Sequence, residues 1–328
     1  MRAVKYDTHN AGTMQKPKIS ILMPVFNSGK YIAETLDTVI AQTFTDWEVV
    51  LMDGGSTDET LTVARRYAAA HPNIRVFSEP DEGVYDAINK AFTKATGEFV
   101  YLLCASDGYL ERRWFEQCVA AFEHDPEIAV VWGIPMGFSP DGATLEPAFG
   151  YGHFLLDQSG GRKPLLKELA RRLVHPKEWW RLFKKMDAAH LAAIKSAIVK
   201  SDIPQKKEFF RYWLSTGLFF PDGNMCVARS VFAECLPLYV PGTREPGDWP
   251  EFYFNFNRKG YLSHGIPIPA NFSQTGPGAN EVTRRARAYN DAKQEAYFKK
   301  LAEFRREIKA HPETMVFRAR SGEPIAVQ

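Results

Sequence analysis

Residues 18–53 read KISILMPVFNSGKYIAETLDTVIAQTFTDWEVVLMD, and this stretch decides the fold class. Its first nine residues are mostly apolar and predict a buried strand. Apolar residues at helical spacing follow over 29–42, and a second apolar run at 47–53 predicts another strand. A strand, a helix and a strand of these lengths favour parallel strands joined by a right-handed crossover.

The same alternation continues to about residue 135. Helices are predicted at 56–70, 83–96 and 111–125, and strands at 74–79, 98–105 and 128–134. We therefore expect an α/β fold whose doubly wound, mostly parallel sheet is flanked by helices. Further along, 266–272 predicts a late strand and 281–310 a basic C-terminal helix.

Composition excludes some functions. The chain has 328 residues, and 41 Lys and Arg against 39 Asp and Glu give a net charge of +2, so there is no case for nucleic-acid binding. Four cysteines without a CxxC pair predict thiols in a reducing cytoplasm. Residues 1–18 lack the apolar core of a secretory signal, and no apolar run approaches the roughly 18 residues of a spanning helix. We expect a cytoplasmic protein that is soluble or lies on a membrane surface.

Polar residues stand at the predicted carboxyl ends of the strands: Asn27, Asp53 with Gly54, Asp81, and Ser106 with Asp107. Ligands of such sheets bind beyond these ends, so the residues are expected to face one crevice. No GxGxxG follows the first strand and the chain has no GxxxxGK[ST], which disfavours dinucleotide and P-loop sites. Asp53 either accepts hydrogen bonds from a base or ribose, or forms an Asx turn and a helix cap.

Four segments together resemble glycosyltransferase family 2, the inverting nucleotide-sugar enzymes of the GT-A fold. They are PVFNSGKYIAETLDTVIAQTF, VVLMDGGSTDET, SEPDEGVYDAINKAFTKATGEFV and LCASDGY. The resemblance covers 18–135 in order and resumes more weakly at 219–275. It is to the bacterial branch that builds lipopolysaccharide and capsule glycans.

The resemblance implies roles for residues that bind the donor. Pro24, Val25 and Asn27 would line the base pocket, and Asp53, followed by Gly54, would hydrogen-bond the base. Three residues of one later segment would flank the diphosphate and the sugar: Tyr85, Asp86 and Asn89. For Asp86 the alternative is a solvated residue in the first turn of a helix, stabilised by the helix dipole.

LCASDGY falls on the metal motif of the family, which usually has two neighbouring acids. Here the first is replaced by Ser106 and the second is Asp107. The resemblance implies that Asp107 binds Mn²⁺ or Mg²⁺, while Ser106 hydrogen-bonds the ribose. Such cations need only one or two protein carboxylates, because phosphates and waters supply the other ligands. We therefore expect a weak metal site that assembles with the donor; the alternative is a degenerate, inactive site.

The resemblance also implies a catalytic base in EPGDWPEFYFNFNRKG, where Asp248 matches the base position. A carboxylate there would take the proton of the acceptor hydroxyl. Glu245 and Glu251 are alternatives, and Asp248 is equally suited to cap a helix. Trp249 would stack on the acceptor sugar, beside Glu251, or pack in the core.

Two further residues have both a functional and a structural interpretation. His264 would reach the metal or the diphosphate, or be a hydrogen-bonded structural histidine. Arg229 matches a basic position of the family, or pairs with a local acid.

Four regions follow from the pattern and the resemblance. A polar leader covers 1–17, and 18–135 is the nucleotide-sugar-binding half. Residues 136–280 are the acceptor-binding half, with a basic helical insertion at about 160–215, and 281–328 are a C-terminal helix and tail. Over 161–200 the insertion has eleven basic and three acidic residues, with Trp179 and Trp180. It would lie on the inner membrane surface, or pack on the sheet or on a second copy in a homodimer.

The expected function is metal-dependent transfer of a sugar from a nucleoside diphosphate sugar to a hydroxyl of a cell-surface glycan. The acceptor would be a lipopolysaccharide, O-antigen or capsule glycan, free or lipid-linked. Two alternatives stay open. One is a glycan- or nucleotide-binding homologue without catalysis. The other is a sugar nucleotidyltransferase, which is disfavoured because PVFNSGK lacks that class's Gly-rich, basic loop.

Overall fold

The structure is a computed structural model of the chain. It describes residues 16–138, 145–147, 203, 205–217, 225–235, 249–273 and 281–325. Side chains are described for these residues except 138, 145–147, 249–250 and 281–294.

Nine strands lie in the described residues and form one sheet. They are β1 Ile19–Val25, β2 Trp47–Asp53, β3 Ile74–Ser78, β4 Phe99–Leu102, β5 Asp107–Tyr109, β6 Ile128–Phe138, β7 Leu145–Pro147, β8 Met225–Ala228 and β9 Leu262–Ser273. The helices of the same residues are α1 Ile32–Ile40, α2 Thr60–Ala70, α3 Val84–Lys94, α4 Trp114–His124, α5 Lys206–Thr216, α6 Arg229–Cys235, α7 Trp249–Arg258 and α8 Glu281–Ala310. A short 3₁₀ turn, Pro312–Thr314, follows α8.

The sheet confirms the predicted mixed, mostly parallel architecture. Its order is β3-β2-β1-β4-β8-β6-β9-β5, with β7 on β6. Strands β3, β2, β1 and β4 are parallel, and β8 runs antiparallel to both β4 and β6. Because β8 comes from the second half of the chain, the sheet of the first half is completed by a later strand. The boundary proposed near residue 135 stays a prediction.

Several predicted boundaries were wrong in detail. The helix expected at 56–70 begins at Thr60, because residues 56–59 form a loop. The strand expected at 98–105 ends at Leu102, and DGY forms its own short strand, β5, rather than only a turn. The late strand is longer than expected, since it spans 262–273, whereas the helix at 281–310 is confirmed with its predicted bounds.

Both faces of the sheet are covered, as a doubly wound fold requires. Side chains alternate along a strand, so Ile19, Ile21 and Met23 face one layer and Leu22 faces the other. The first layer contains α1, α2 and α4, and the second contains α3 and α5 to α8. No helix in the part of the chain that the structure describes is long and apolar enough to cross a membrane.

Candidate active site

The strand ends predicted to converge do so. Val25 at the end of β1 pairs with Asp53 of β2, which pairs in turn with Ser78 of β3. Leu22 pairs with Leu102 of β4, so the turn after β4 leaves the sheet beside the end of β1. The carboxyl edge of the parallel strands therefore brings the loops after β1, β2, β3 and β4 together.

A cavity of about 360 Å³ lies at this edge. It is lined by Pro24, Val25, Phe26, Gly54, Asp81, Glu82, Gly83, Val84 and Ala87. Three residues predicted to bind the donor are therefore in its wall: Pro24, Val25 and Gly54. Asp81 was expected at this crevice, but without a role in binding the donor, and the other five lining residues were not predicted.

Asp53 shapes the turn behind the cavity. It is fully buried, and its carboxylate accepts hydrogen bonds from the backbone N–H groups of Gly55 and Ser56 at 3.2 Å and from the Ser78 hydroxyl at 2.7 Å. The Asx turn is thus confirmed. The predicted helix cap is wrong, because α2 begins only at Thr60. Recognition of a base by Asp53 stays a prediction.

Asn27 ties two of the loops together. Its φ of 47° lies in the left-handed region, which asparagine tolerates better than most residues. Its N–H donates to the Ser56 hydroxyl at 2.9 Å, and its Oδ1 accepts from the N–H of Thr57 at 2.9 Å. Asn27 is not among the residues lining the cavity, and its hydrogen bonds join the loop after β1 to the loop after β2.

Asp81 faces the cavity and lies directly against Gly54. A Cβ on Gly54 would be 2.2 Å from Asp81 Oδ2, so only glycine fits there without a shift of the carboxylate. Asp81 Oδ1 accepts from the Gly83 N–H at 2.9 Å. Burial raises the pKa of the Asp81 carboxyl, and the negative charges of Asp86 and Asp53 raise it further, although the Gly83 bond and Lys90 oppose them.

The first turn of α3 is held by Asp86. Its Oδ2 accepts from the Glu82 N–H at 3.0 Å and from Lys90 Nζ at 2.9 Å. The solvated alternative for Asp86 is wrong, because the residue is only 5% exposed. Tyr85 packs in the core and Asn89 is buried nearby on α3. Contact of Tyr85, Asp86 and Asn89 with the diphosphate and sugar stays a prediction.

The Ser106–Asp107 turn follows β4 at the same edge. Ser106 has φ 80°, and both residues are buried. Asp107 begins β5 and pairs with Ser273 at the end of β9. Ser273 was not predicted at the site, because only the pairing of β5 with β9 brings it to the turn.

The oxygen atoms at this turn could supply only some of the ligands that a hard divalent cation needs. The Asp107 carboxylate and the Ser106 hydroxyl offer oxygen atoms, the kind of ligand that Mn²⁺ and Mg²⁺ prefer. Among the residues that the structure describes, no group of three or more His, Cys, Asp or Glu could hold a metal. The chemistry therefore fits an ion whose remaining ligands come from a diphosphate and from water.

Most residues predicted to function in the second half of the chain lie outside the described residues. Asp248 and Glu245 lie outside the described residues, as do the Trp249 side chain and the insertion up to residue 202. The described end of the insertion is α5. Glu251, in the first turn of α7, lies 3.5 Å from Lys300 Nζ of α8.

His264 and Arg229 lie at the opposite edge of the sheet. His264 is near the start of β9, where burial lowers its pKa. It pairs with Val131 of β6, six residues before Gly137, which pairs with Ser273, so His264 lies about 20 Å from Ser273. Arg229 follows β8, its N–H donates to the Glu98 carbonyl, and its guanidinium lies over the Phe92 ring. The prediction that His264 reaches the metal or the diphosphate is therefore wrong. A functional role of Arg229 stays a prediction.

The mostly parallel sheet, with helices on both faces and a cavity at its carboxyl edge, has the GT-A type fold of glycosyltransferases, as a comparison with solved structures shows. The chain has a TM-score of 0.50 and 18% identity to a crystal structure of GalNAc-T7 with UDP, GalNAc and Mn²⁺, over 81% of this chain and 46% of that one. That likeness shows the fold alone. Residues 20–169 match the model of Glycosyl transferase family 2, so the chain carries a domain of this family.

Relatives from bacteria match less than half of the chain. It is 33% identical to the chondroitin synthase of Pasteurella multocida (strain Pm70) over 138 residues, which are 42% of this chain and 14% of that protein. It is 39% identical to a PGL/p-HBAD biosynthesis glycosyltransferase of Mycobacterium bovis (strain BCG / Pasteur 1173P2) over 129 residues, 38% of this chain and 49% of that protein. The match thus spans half or less of these relatives.

Proposed function

We propose that the protein is an inverting glycosyltransferase that moves a sugar from a nucleoside diphosphate sugar to a hydroxyl of a bacterial cell-surface glycan. The observation that carries the proposal is the cavity at the ends of β1 and β2 beside the Ser106–Asp107 turn. The base and the ribose would occupy the cavity, and the diphosphate would extend towards the turn. Phe26 and Val84 supply apolar walls, and Asp81 supplies an acceptor for an N–H of the base.

Charge supports a requirement for Mn²⁺ or Mg²⁺. The described side chains around the cavity include Asp81, Glu82 and Asp86, and Lys90 is already paired with Asp86. A diphosphate entering this crevice is repelled unless positive charge accompanies it. Asp107 would hold the ion, with Ser106 as a neutral neighbour. A bound divalent cation supplies positive charge to the departing diphosphate.

The transfer needs a base on the acceptor side. The acceptor oxygen would form a bond to the anomeric carbon while the bond to the diphosphate oxygen breaks, and the acceptor proton would pass to a carboxylate. Asp248 is the proposed base, since it directly precedes α7. Helix α7 is followed after a short turn by β9, and helices of α/β units run antiparallel to the next strand. Helix α7 has ten residues and is about 15 Å long. This order of elements supports a position of the first turn of α7, and so of Asp248, towards the carboxyl edge of the sheet.

The acceptor and the location are proposals from the relatives and from composition. The chondroitin synthase and the PGL/p-HBAD biosynthesis glycosyltransferase among the relatives support a glycan or lipid-linked glycan acceptor. The basic segment 163–200, outside the described residues, supports a place on the cytoplasmic face of the inner membrane. A homodimer through that segment is the alternative.

Donor hydrolysis tests the proposal directly. A panel of nucleoside diphosphate sugars is assayed with Mn²⁺ and with EDTA, and turnover is expected with Mn²⁺ only. Asp107→Ala and Asp248→Asn should each abolish turnover while circular dichroism shows the folded protein. Full activity in either variant would remove the role given to that residue. Nucleotide binding without turnover under every condition would instead favour the non-catalytic homologue.

A further inference from the structure

A ridge of buried polar side chains, on helix α1 and just beyond its end, faces the segment that contains the Ser106–Asp107 turn. The ridge consists of Thr35 and Thr38 on α1 and Gln42 just beyond it, all at most 4% exposed. Inward helix faces usually carry apolar residues, because a buried hydroxyl needs hydrogen-bond partners. All three side chains find such partners in the backbone of 106–115.

Thr35 makes the contacts nearest to the turn. Its Oγ1 accepts a hydrogen bond from the Ser106 N–H at 3.0 Å and donates one to the Asp107 carbonyl oxygen at 2.8 Å. One hydroxyl therefore holds the peptide groups on both sides of the Ser106–Asp107 pair. This matters because Ser106 has φ 80°, a conformation that a non-glycine residue keeps only when its surroundings hold it there.

The rest of the ridge and β9 fix the segment that follows. Thr38 Oγ1 accepts from the Tyr109 N–H at 3.2 Å, and Gln42 Nε2 donates to the Glu111 carbonyl oxygen at 3.0 Å. On the other side, a Cβ on Gly108 would lie 2.6 Å from the Phe272 ring. The turn is thus held between α1 and β9 with little room to move.

We propose that Thr35 is a positioning residue for metal binding, and that it acts through the backbone of the Ser106–Asp107 turn. This inference rests on the proposed function. With serine at position 106, the turn offers one carboxylate, so no second acid compensates if Asp107 shifts. The Thr35 hydroxyl fixes where that carboxylate stands when a diphosphate and a divalent cation arrive. Residues that orient a metal ligand typically change metal affinity about 10–100-fold when mutated.

The experiment compares Thr35→Val, which keeps the shape and loses the hydroxyl, with Thr35→Ser, which keeps the hydroxyl. Thr93→Val is the matched control, because Thr93 is an exposed helix residue whose hydroxyl bonds a carbonyl of its own helix. Calorimetry measures binding of UDP, GDP and TDP as a function of Mn²⁺ concentration and in EDTA. Thr35→Val should raise the Mn²⁺ concentration for half-maximal binding about 10–100-fold. Binding in EDTA should be unchanged.

Several results would overturn the inference. One is an unchanged Mn²⁺ requirement in folded Thr35→Val, and another is an equal loss in EDTA, which would show general damage to the crevice. If Thr35→Val does not fold, the Thr35→Ser variant is the test. Binding of the nucleotide at a Mn²⁺ concentration near that of the wild type supports a role for the hydroxyl. A tenfold higher Mn²⁺ requirement in Thr35→Ser contradicts that role, because this variant keeps the hydroxyl. Wild-type protein without Mn²⁺-dependent binding of any of the three nucleotides would overturn the proposed function itself, and this inference with it.

Discussion

Asn27 should stabilise the crevice through two effects that substitutions can separate. One is its left-handed backbone, with φ 47°, and the other is its Oδ1, which accepts the Thr57 N–H at 2.9 Å. Asn27→Gly keeps the backbone conformation easily and removes the acceptor. Asn27→Ala removes the acceptor and also opposes the conformation. Asn27→Asp keeps an acceptor and tolerates the conformation, so it is the matched control.

The magnitudes follow from these contacts. A lost hydrogen bond of this kind costs about 1 kcal/mol, which is the expected loss of unfolding free energy in Asn27→Gly. Forcing alanine into the left-handed region adds about 1–2 kcal/mol, so Asn27→Ala should lose about 2–3 kcal/mol. Asn27→Asp should stay within about 0.5 kcal/mol of the wild type.

Equilibrium urea unfolding, followed by circular dichroism, measures these differences. The expected order of stability is wild type and Asp, then Gly, then Ala. Equal stability of the Gly and Ala variants would refute a contribution from the backbone conformation. Wild-type stability of the Gly variant would refute a contribution from the Thr57 bond.

Three further substitutions test other parts of the site and the sheet. Asp81→Asn should raise the melting temperature at pH 7. Because the pKa of Asp81 is raised in the folded protein, its ionised carboxylate destabilises the folded state at this pH. The gain should vanish below about pH 4, where the carboxyl is protonated in both states. Glu48→Gln should lower the free energy of unfolding by about 1.5–3 kcal/mol at pH 7. Burial alone would raise the pKa of Glu48, but the hydrogen bonds that it accepts from Ser20 and Arg75 outweigh burial and lower the pKa. The loss should therefore shrink as the pH falls below about 4. Gly54→Ala should weaken nucleoside diphosphate binding at least about tenfold, because the added Cβ would displace Asp81. Calorimetry measures the affinity, and Gly29→Ala, which lies outside the cavity wall, is the control.

Much of the fold was predictable because hydrophobic spacing is a local property. The strand and helix over 18–53 and the convergence of strand ends follow from alternation alone. The place of β8 between β4 and β6 was not predictable, since a four-residue strand carries little pattern and its neighbours lie about 100 residues away. For the same reason the sequence did not indicate that Ser273 would stand beside Asp107.

The residues of the candidate site also divide into those that the sequence predicts and those that it does not. Pro24, Val25 and Gly54 were predicted from the resemblance to the family, and the strand pattern placed them at the carboxyl edge of the sheet. Asn27 and Asp53 were predicted as ligand contacts, but their hydrogen bonds show loop bracing, which a sequence cannot separate from ligand binding. Thr35 gave no signal, because a threonine on an apolar helix face resembles any tolerated polar residue until its partners are known.

The replacement at Ser106 leads to a last prediction with two opposite signs. Ser106→Asp would restore the paired acids of the family, and aspartate accepts φ 80° better than most residues. A second carboxylate should lower the Mn²⁺ concentration needed for half-maximal nucleotide binding, because it adds charge where the ion is proposed to sit. In EDTA the same charge should weaken nucleotide binding, since Asp81 and Glu82 already make the crevice acidic. Calorimetry in both conditions measures the two effects, with Ser106→Asn as the uncharged control. If both affinities move in the same direction, the turn does not bind the cation.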